Sequence, residues 1–133
     1  MWLMTFEELD ERFPNGFDDA EIFGLTVDYQ SRIATLQISL RGNPPDSPDR
    51  DQYRRATLTV QEFYYFSIDP PDPDHLRPQG PKLTVDGLPE DPANFPLFEQ
   101  LKLTLPDGAF CCRFYIHDWN SFIHLAAKNA EFV

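Results

Sequence analysis

The chain has 133 residues, of which 41% are hydrophobic and 14% aromatic, and this composition excludes a disordered chain despite thirteen prolines. The net charge of -11 argues against nucleic-acid binding and against a membrane-surface role, because both depend on clustered lysine and arginine. The length fits one domain, so residues 1–133 are expected to form a single β-rich unit.

The N-terminal segment predicts the one helix. Thr5 and Glu8 have the spacing of a capping box, and Phe6, Leu9 and Phe13 lie on one helical face. A Pro-Asn-Gly sequence follows and stops the helix.

Two apolar stretches with period two come next. Residues 23–29 and 35–41 alternate apolar and polar side chains and are separated by a short polar turn at 30–32. This pattern predicts an antiparallel hairpin with one face in water.

The stretch at 55–68 alternates in the same way, but Glu62 interrupts its apolar face. A charged residue there indicates a bulge or bend near 61–62. The sequence leaves two alternatives, one kinked strand or two strands folded back on each other.

The C-terminal part predicts a third hairpin and a last strand. Leucines at 101, 103 and 105 lead into Pro-Asp-Gly at 106–108, and residues 110–116 return in register. A strand is expected from 121–126 towards 132–133, with a short helix over 122–130 as the alternative.

Proline-rich segments at 42–52, 69–81 and 87–98 cannot continue a sheet ladder, so they are predicted to be loops or irregular covering segments. The fold class is therefore mainly β, an antiparallel sandwich or strongly bent sheet of about six to eight strands with one N-terminal helix.

The net charge comes from two segments. Residues 1–31 carry a net charge of -7, residues 65–91 carry -4, and the rest is balanced. Helix capping and solvation account for part of this acidity, but a field concentrated in two segments also favours a cationic partner.

The acidic loop with Asp69, Asp72 and Asp74 could surround a calcium ion, since calcium takes several oxygens from a flexible loop. It lacks the glycine and the closing glutamate of an EF-hand, and a solvated loop is the favoured interpretation. The histidines at 75, 117 and 124 lack zinc spacing, so no metal and no cofactor are expected.

His117 and Asp118 suggest an acid–base pair, but adjacent residues at a strand end point to opposite faces. A polar corner with Trp119 as a packing anchor is the simpler interpretation. The two cysteines, Cys111 and Cys112, are adjacent and are expected to stay reduced, with Cys112 in the core. The start of the chain lacks the features of a signal peptide, and a cytoplasmic protein is expected.

Residues 13–22, Phe-Pro-Asn-Gly-Phe-Asp-Asp-Ala-Glu-Ile, followed by a strand to Tyr29, resemble the opening of small bacterial proteins that include immunity proteins of polymorphic toxin systems. The resemblance covers residues 13–29 and extends weakly through 57–68. It implies a neutralising binding protein, for which a basic nuclease toxin would be a suitable partner.

We therefore predict a non-enzymatic module that binds a basic protein. Its electrostatic steering residues are Asp18, Asp19, Glu21, Asp69, Asp72 and Asp74, and its aromatic anchor is Trp119 or Tyr65. One alternative is a small-molecule or sugar-binding domain that presents Phe63 and Tyr65 on a concave face. A second alternative is a hydrolase-type enzyme that uses His117.

Overall fold

The computed structural model describes residues 5–12, 15–41, 43–44, 46–50, 52–74, 82–89 and 105–132. Within these ranges the chain forms one helix and six strands, which are α1 Phe6–Arg12, β1 Ala20–Asp28, β2 Ile33–Arg41, β3 Tyr53–Ile68, β4 Leu83–Pro89, β5 Phe110–Ile116 and β6 Ser121–Phe132.

The strands form a closed barrel in the order β1-β2-β3-β6-β5-β4, and β4 pairs back with β1. All neighbouring pairs are antiparallel. The predicted antiparallel β class is confirmed, but the sheet closes on itself where the sequence predicted a sandwich or a bent sheet. Twist and bulges coil the sheet until its two outer strands meet.

Helix α1 packs against β5 and β6 and supplies Phe6 and Leu9 to the core. The predicted capping box is present, because the Glu8 N–H donates to Thr5 Oγ1 at 3.2 Å and the Thr5 N–H donates to Glu8 Oε1 at 3.4 Å. Phe6 is buried, stacks on Phe17 at 4.6 Å and meets the edge of Phe114 at 5.6 Å. Phe13, predicted for the same face, lies outside the described residues.

The predicted hairpin of β1 and β2 is confirmed. Its turn is held by Asp28 Oδ1, which accepts the N–H groups of Gln30 at 3.0 Å and Ser31 at 3.3 Å. Leu25 and Val27 of β1, together with Leu36 and Ile38 of β2, pack in the barrel core.

β3 is a single kinked strand, so the first of the two alternatives is confirmed. Glu62 has a φ of 52°, and the register between β3 and β6 shifts between Phe63 and Tyr65. The shift turns neighbouring aromatics to different sides: Phe63 lies in the barrel core, and Tyr65 packs against Cys111 and Ala126 in a small cluster. These two aromatics do not share the concave face that the sequence predicted.

β4 was not predicted as a strand, and it changes the expected pairing of β5. Both edges of β5 are paired, one with β4 and the other with β6. The turn at 106–108 is present, with the Ala109 N–H donating to the Pro106 carbonyl at 3.2 Å and Gly108 at a φ of 87°. Residues 101–104, the expected first arm of this hairpin, lie outside the described residues.

β6 is a strand throughout, which excludes the alternative helix over 122–130. It lies between β3 and β5 and supplies Ile123, Leu125 and Ala127 to the core. Cys112 lies in the main core as expected, and Cys111 is buried in the small cluster with Ala126.

Candidate functional site

The candidate site lies on the outer side of β4, β5 and β6, where two acidic runs meet. The first run is Asp18–Asp19 and the second is Asp69–Asp74. We call this surface the acidic face and define it by six carboxylates and the three side chains that lie between them. Its members are Asp18, Asp19, Asp69, Asp72, Asp74 and Asp86, with Tyr115, His117 and Asn120 between them.

Asp86 organises the first acidic run. Its Oδ1 accepts the Asp19 N–H at 2.8 Å, and its Oδ2 lies 2.7 Å from His117 Nε2. The Asp18 carboxyl lies close enough to Asp86 to share a proton with it. The sequence analysis gave Asp86 no role, although its polar side chain alternates with buried Val85 and Gly87 in β4.

The close carboxyl groups shift each other's pKa in opposite directions. The hydrogen bond to Asp86 raises the pKa of Asp18, and partial burial, with the Asp86 and Asp19 charges, adds to the rise. Partial burial raises the pKa of Asp86, but the Asp19 N–H, the Asp18 carboxyl and His117 outweigh it and hold that pKa below its usual range. At low pH the pair therefore retains its proton on Asp18.

The side chains of Asp19, Asp86 and His117 offer donor atoms that all lie within 4.8 Å of one another, close enough to hold a metal ion. Both Asp86 oxygens already have partners within the protein. A metal would have to displace those hydrogen bonds, and the cluster is satisfied without one.

The second acidic run is bound to the corner between β5 and β6. Asp69 Oδ2 lies 3.2 Å from Nε2 of buried His124, and the Asp72 N–H donates to the Trp119 carbonyl at 2.8 Å. The Asp74 N–H donates to Asp72 Oδ1 at 3.0 Å. These hydrogen bonds hold the loop against β6, where it continues the path of β3. Its carboxylates therefore do not diverge from one another.

A continuous chain of contacts joins the two runs. Asn120 Nδ2 donates to Asp72 Oδ2 at 3.1 Å, and the Tyr115 hydroxyl donates to Asn120 Oδ1 at 2.7 Å. The Tyr115 ring centroid lies 5.2 Å from that of His117, which bonds to Asp86. Carboxylates that are distant in sequence therefore share one outer surface of the sheet.

Cations offset part of this charge. Arg41 Nη2 lies 3.5 Å from both Asp18 Oδ2 and Asp19 Oδ2. Such partly exposed pairs add little stability, about 0–1 kcal/mol, and one guanidinium cannot neutralise two carboxylates. The first run therefore keeps a negative charge towards solvent.

The other predicted site residues are not members of the acidic face, and each has a different place in the structure. Glu21 is buried, with 7% of its surface exposed, and is paired with Lys82, so its charge is compensated within the protein. Tyr65 is half-buried in the cluster with Cys111. Trp119 packs against the barrel core next to the second run, and its backbone carbonyl holds Asp72.

His117 and Asp118 have different partners, as the sequence indicated. Asp118 is buried, and its Oδ2 accepts the Thr84 N–H at 2.8 Å, while His117 bonds to Asp86. The His117–Asp86 contact could orient an imidazole for acid–base work. Among the described residues, Asp86, Tyr115 and Asp19 lie near His117, and none of them is the activated nucleophile of a serine or cysteine hydrolase.

An apolar opening, which we call the mouth, lies where β3 and β5 end and β4 and β6 begin. It encloses about 310 Å³. Its apolar lining includes Leu25, Ile68, Leu83, Trp119 and Ile123, and Lys82 also borders it. The sequence gave no signal for this opening, because its lining comes from every strand except β2.

Comparisons of this chain with protein-family profiles, with curated proteins and with solved structures found no match. Across the ranges described above, no helix has the length and apolar character needed to cross a membrane. The functional argument therefore rests on the geometry of the acidic face and the mouth.

Proposed function

We propose that this protein is a non-enzymatic binding module that docks a basic protein on its acidic face. One observation carries the proposal: the fold brings the Asp18–Asp19 run and the Asp69–Asp74 run to a single surface through Asp86, His117, Tyr115 and Asn120. Had the two runs occupied opposite sides, their fields would not add at one partner.

The physical basis is electrostatic complementarity. Carboxylates of one sign on one surface attract a cationic partner, accelerate its encounter and disfavour acidic competitors. The bonds to backbone and side chains hold Asp72 and Asp86 in place, so little ordering entropy opposes docking.

The resemblance of residues 13–29 to immunity proteins supports the same type of function. It adds to the proposal that the basic partner is a toxin that the chain neutralises. Asp18 and Asp19 lie within the resembling segment and also on the acidic face.

The proposal is tested by retrieving partners from an extract of the native host with the immobilised chain. Three forms are compared: the unchanged chain, a face variant and a control variant with the same change in net charge. The face variant carries Asp18→Asn, Asp19→Asn, Asp72→Asn and Asp74→Asn. The control carries Glu11→Gln, Asp28→Asn, Glu62→Gln and Asp107→Asn, all at exposed positions that are not members of the acidic face.

We expect a basic protein to be retained by the unchanged chain and by the control, and to be recovered at least roughly tenfold less with the face variant. Washing at about 0.5 M salt should release it, since the Debye length then falls to a few ångströms. Equal recovery with the face and control variants, or recovery of no basic protein, would show that the acidic face is not a docking surface.

A further inference from the structure

The mouth and the acidic face adjoin each other. Ile68 lines the mouth and is followed in the chain by Asp69, while Trp119 lines the mouth and binds the Asp72 N–H through its carbonyl. A partner that contacts the Asp69–Asp74 run is thus next to an apolar opening.

The size of the mouth restricts what can enter it. Its volume of about 310 Å³ is at the lower limit for pockets that hold small molecules. This is roughly twice the volume of a cavity that takes up benzene, so one aromatic or large aliphatic side chain enters it with room to spare. Ile68, on its rim, is 44% exposed, so apolar surface is available to an incoming group.

The charges around the mouth restrict the flanks of that group. Lys82 is the cation of the lining, and it is paired with Glu21, with the Asp118 charge also near. An anionic ligand would therefore compete with two carboxylates for this one lysine. Asp69 follows Ile68 of the mouth lining and the Asp72 N–H donates to the carbonyl of Trp119, so a cation beside the bound group meets complementary charge there.

We propose that the mouth receives an apolar side chain of the basic partner, aromatic or large aliphatic, that has lysine or arginine beside it. This inference rests on the proposed function and identifies the recognition element of the partner. Protein interfaces draw most of their affinity from a few buried anchor residues that are surrounded by polar contacts. In this protein the mouth would bury the anchor, and the acidic residues would supply the surrounding polar contacts.

The test uses synthetic pentapeptides and the full chain. The first peptide has phenylalanine between two pairs of lysines, the second has alanine in place of phenylalanine, and the third has phenylalanine between two pairs of glutamates. N-acetylphenylalaninamide serves as the free small molecule. Binding is followed by methyl NMR at Ile68 and Ile123, which line the mouth, and each titration gives a dissociation constant.

Two variants with equal charge separate the anchor from the rim. Ile68→Asp places a charge at the rim of the mouth, and Leu88→Asp places the same charge at another apolar side chain of equal exposure, 44%, outside the mouth lining. Electrostatic attraction alone would make lysine peptides bind Ile68→Asp equally well or more tightly. If the apolar anchor matters, the lysine–phenylalanine peptide should instead bind Ile68→Asp more weakly.

We expect the lysine–phenylalanine peptide to bind roughly tenfold more tightly than the alanine peptide, because the buried ring is removed from water. This difference should persist in Leu88→Asp and disappear in Ile68→Asp. Dispersed Ile123 methyl signals confirm that each variant is folded, and Ile68→Gln, which adds no charge, should also lose the difference.

Any other result overturns the inference, and the pattern of binding shows which part of it is wrong. Equal binding of the phenylalanine and alanine peptides, both tighter than the glutamate peptide, leaves the acidic face as a docking surface without the anchor. Tight binding of N-acetylphenylalaninamide alone makes the mouth a small-molecule pocket. If the glutamate peptide binds as well as the lysine peptide, or if no peptide binds, the charge argument of the proposed function fails as well.

Discussion

At the scale of single residues, Asp86 shows how the acidic face is held together. It is only half-buried, and it gathers Asp18, Asp19 and His117 around one carboxylate. Its neighbour Gly87 lets β4 pack close to Phe17, because a Cβ at this position would lie only 2.7 Å from the Phe17 Cβ. Only glycine lets β4 approach Phe17 this closely, and Asp86 is positioned as a result.

The pH behaviour of this cluster can be predicted. Because Asp18 has a raised pKa in the folded chain, its contribution to stability is present at low pH and is lost as the pH rises from the usual aspartate value to the raised one. In Asp86→Asn the main cause of the rise is removed, so the pKa of Asp18 should fall towards 3.8. NMR titration of the side-chain carboxyl measures it directly.

Asp28 provides the control for this titration. Hydrogen bonds from the Ser31 side chain and from the Ser31 and Gln30 N–H groups lower its pKa, and none of these partners contacts Asp86. Asp28 should therefore titrate identically in both proteins. An unchanged Asp18 pKa in Asp86→Asn would contradict the assigned coupling.

At the scale of elements, the bulge in β3 decides which aromatics face the core. Glu62 adopts the left-handed conformation, which costs a residue with a Cβ about 1–2 kcal/mol. The shift of register that accompanies it sends Phe63 inward and Tyr65 to the other side. The bulge costs conformational free energy, but it allows the long strand β3 to pair with both β2 and β6.

Glu62→Gly should therefore stabilise the chain, by up to about 1 kcal/mol, because glycine adopts this conformation without strain. The exposed Glu62–Lys128 pair, at 3.8 Å, subtracts little. Gln61→Gly, one residue earlier in ordinary strand conformation, should destabilise by roughly 0.5–1 kcal/mol. Urea unfolding of the three proteins gives the comparison, and destabilisation by Glu62→Gly would contradict this account of the bulge.

Local patterns in the sequence were sufficient for several elements. The capping box of Thr5 and Glu8, the β1–β2 hairpin and the bend at Glu62 depend on residues close in the chain, and each was predicted. β4 was missed because Gly87 and the surrounding prolines mask its alternation. Asp86 was missed with it, since its role appears only when β4 meets Asp19 and His117.

At the scale of the whole molecule, closure of the barrel depends on a short seam. β1 and β4 are paired at three positions, Ala20 with Val85, Glu21 with Thr84 and Ile22 with Leu83, whereas β2 and β3 are paired from Ile33–Gln61 to Arg41–Tyr53. Closure brings together distant parts of the chain, so alternation along single strands could not distinguish a barrel from a sandwich.

Native-state hydrogen exchange should locate this weak point. Hydrogen-bonded amides of the β1–β4 seam should exchange through local opening, with a smaller free energy than the amides between β2 and β3, which should exchange only on global unfolding. A low concentration of denaturant separates the two processes. If seam amides show the full free energy of unfolding, the seam does not open separately.

The place of β6 between β3 and β5 has a consequence for the order of assembly. β1, β2 and β3 are consecutive in the chain and adjacent in space, so this meander can form early during synthesis. β4 and β5 also pair with each other, and β4 joins the meander through its seam with β1, but the gap between β5 and β3 is filled only by β6, the last of the six strands to be synthesised. The barrel therefore cannot close on the ribosome until β6 has emerged, and until then the free edge of β3 is an edge that another chain could pair with.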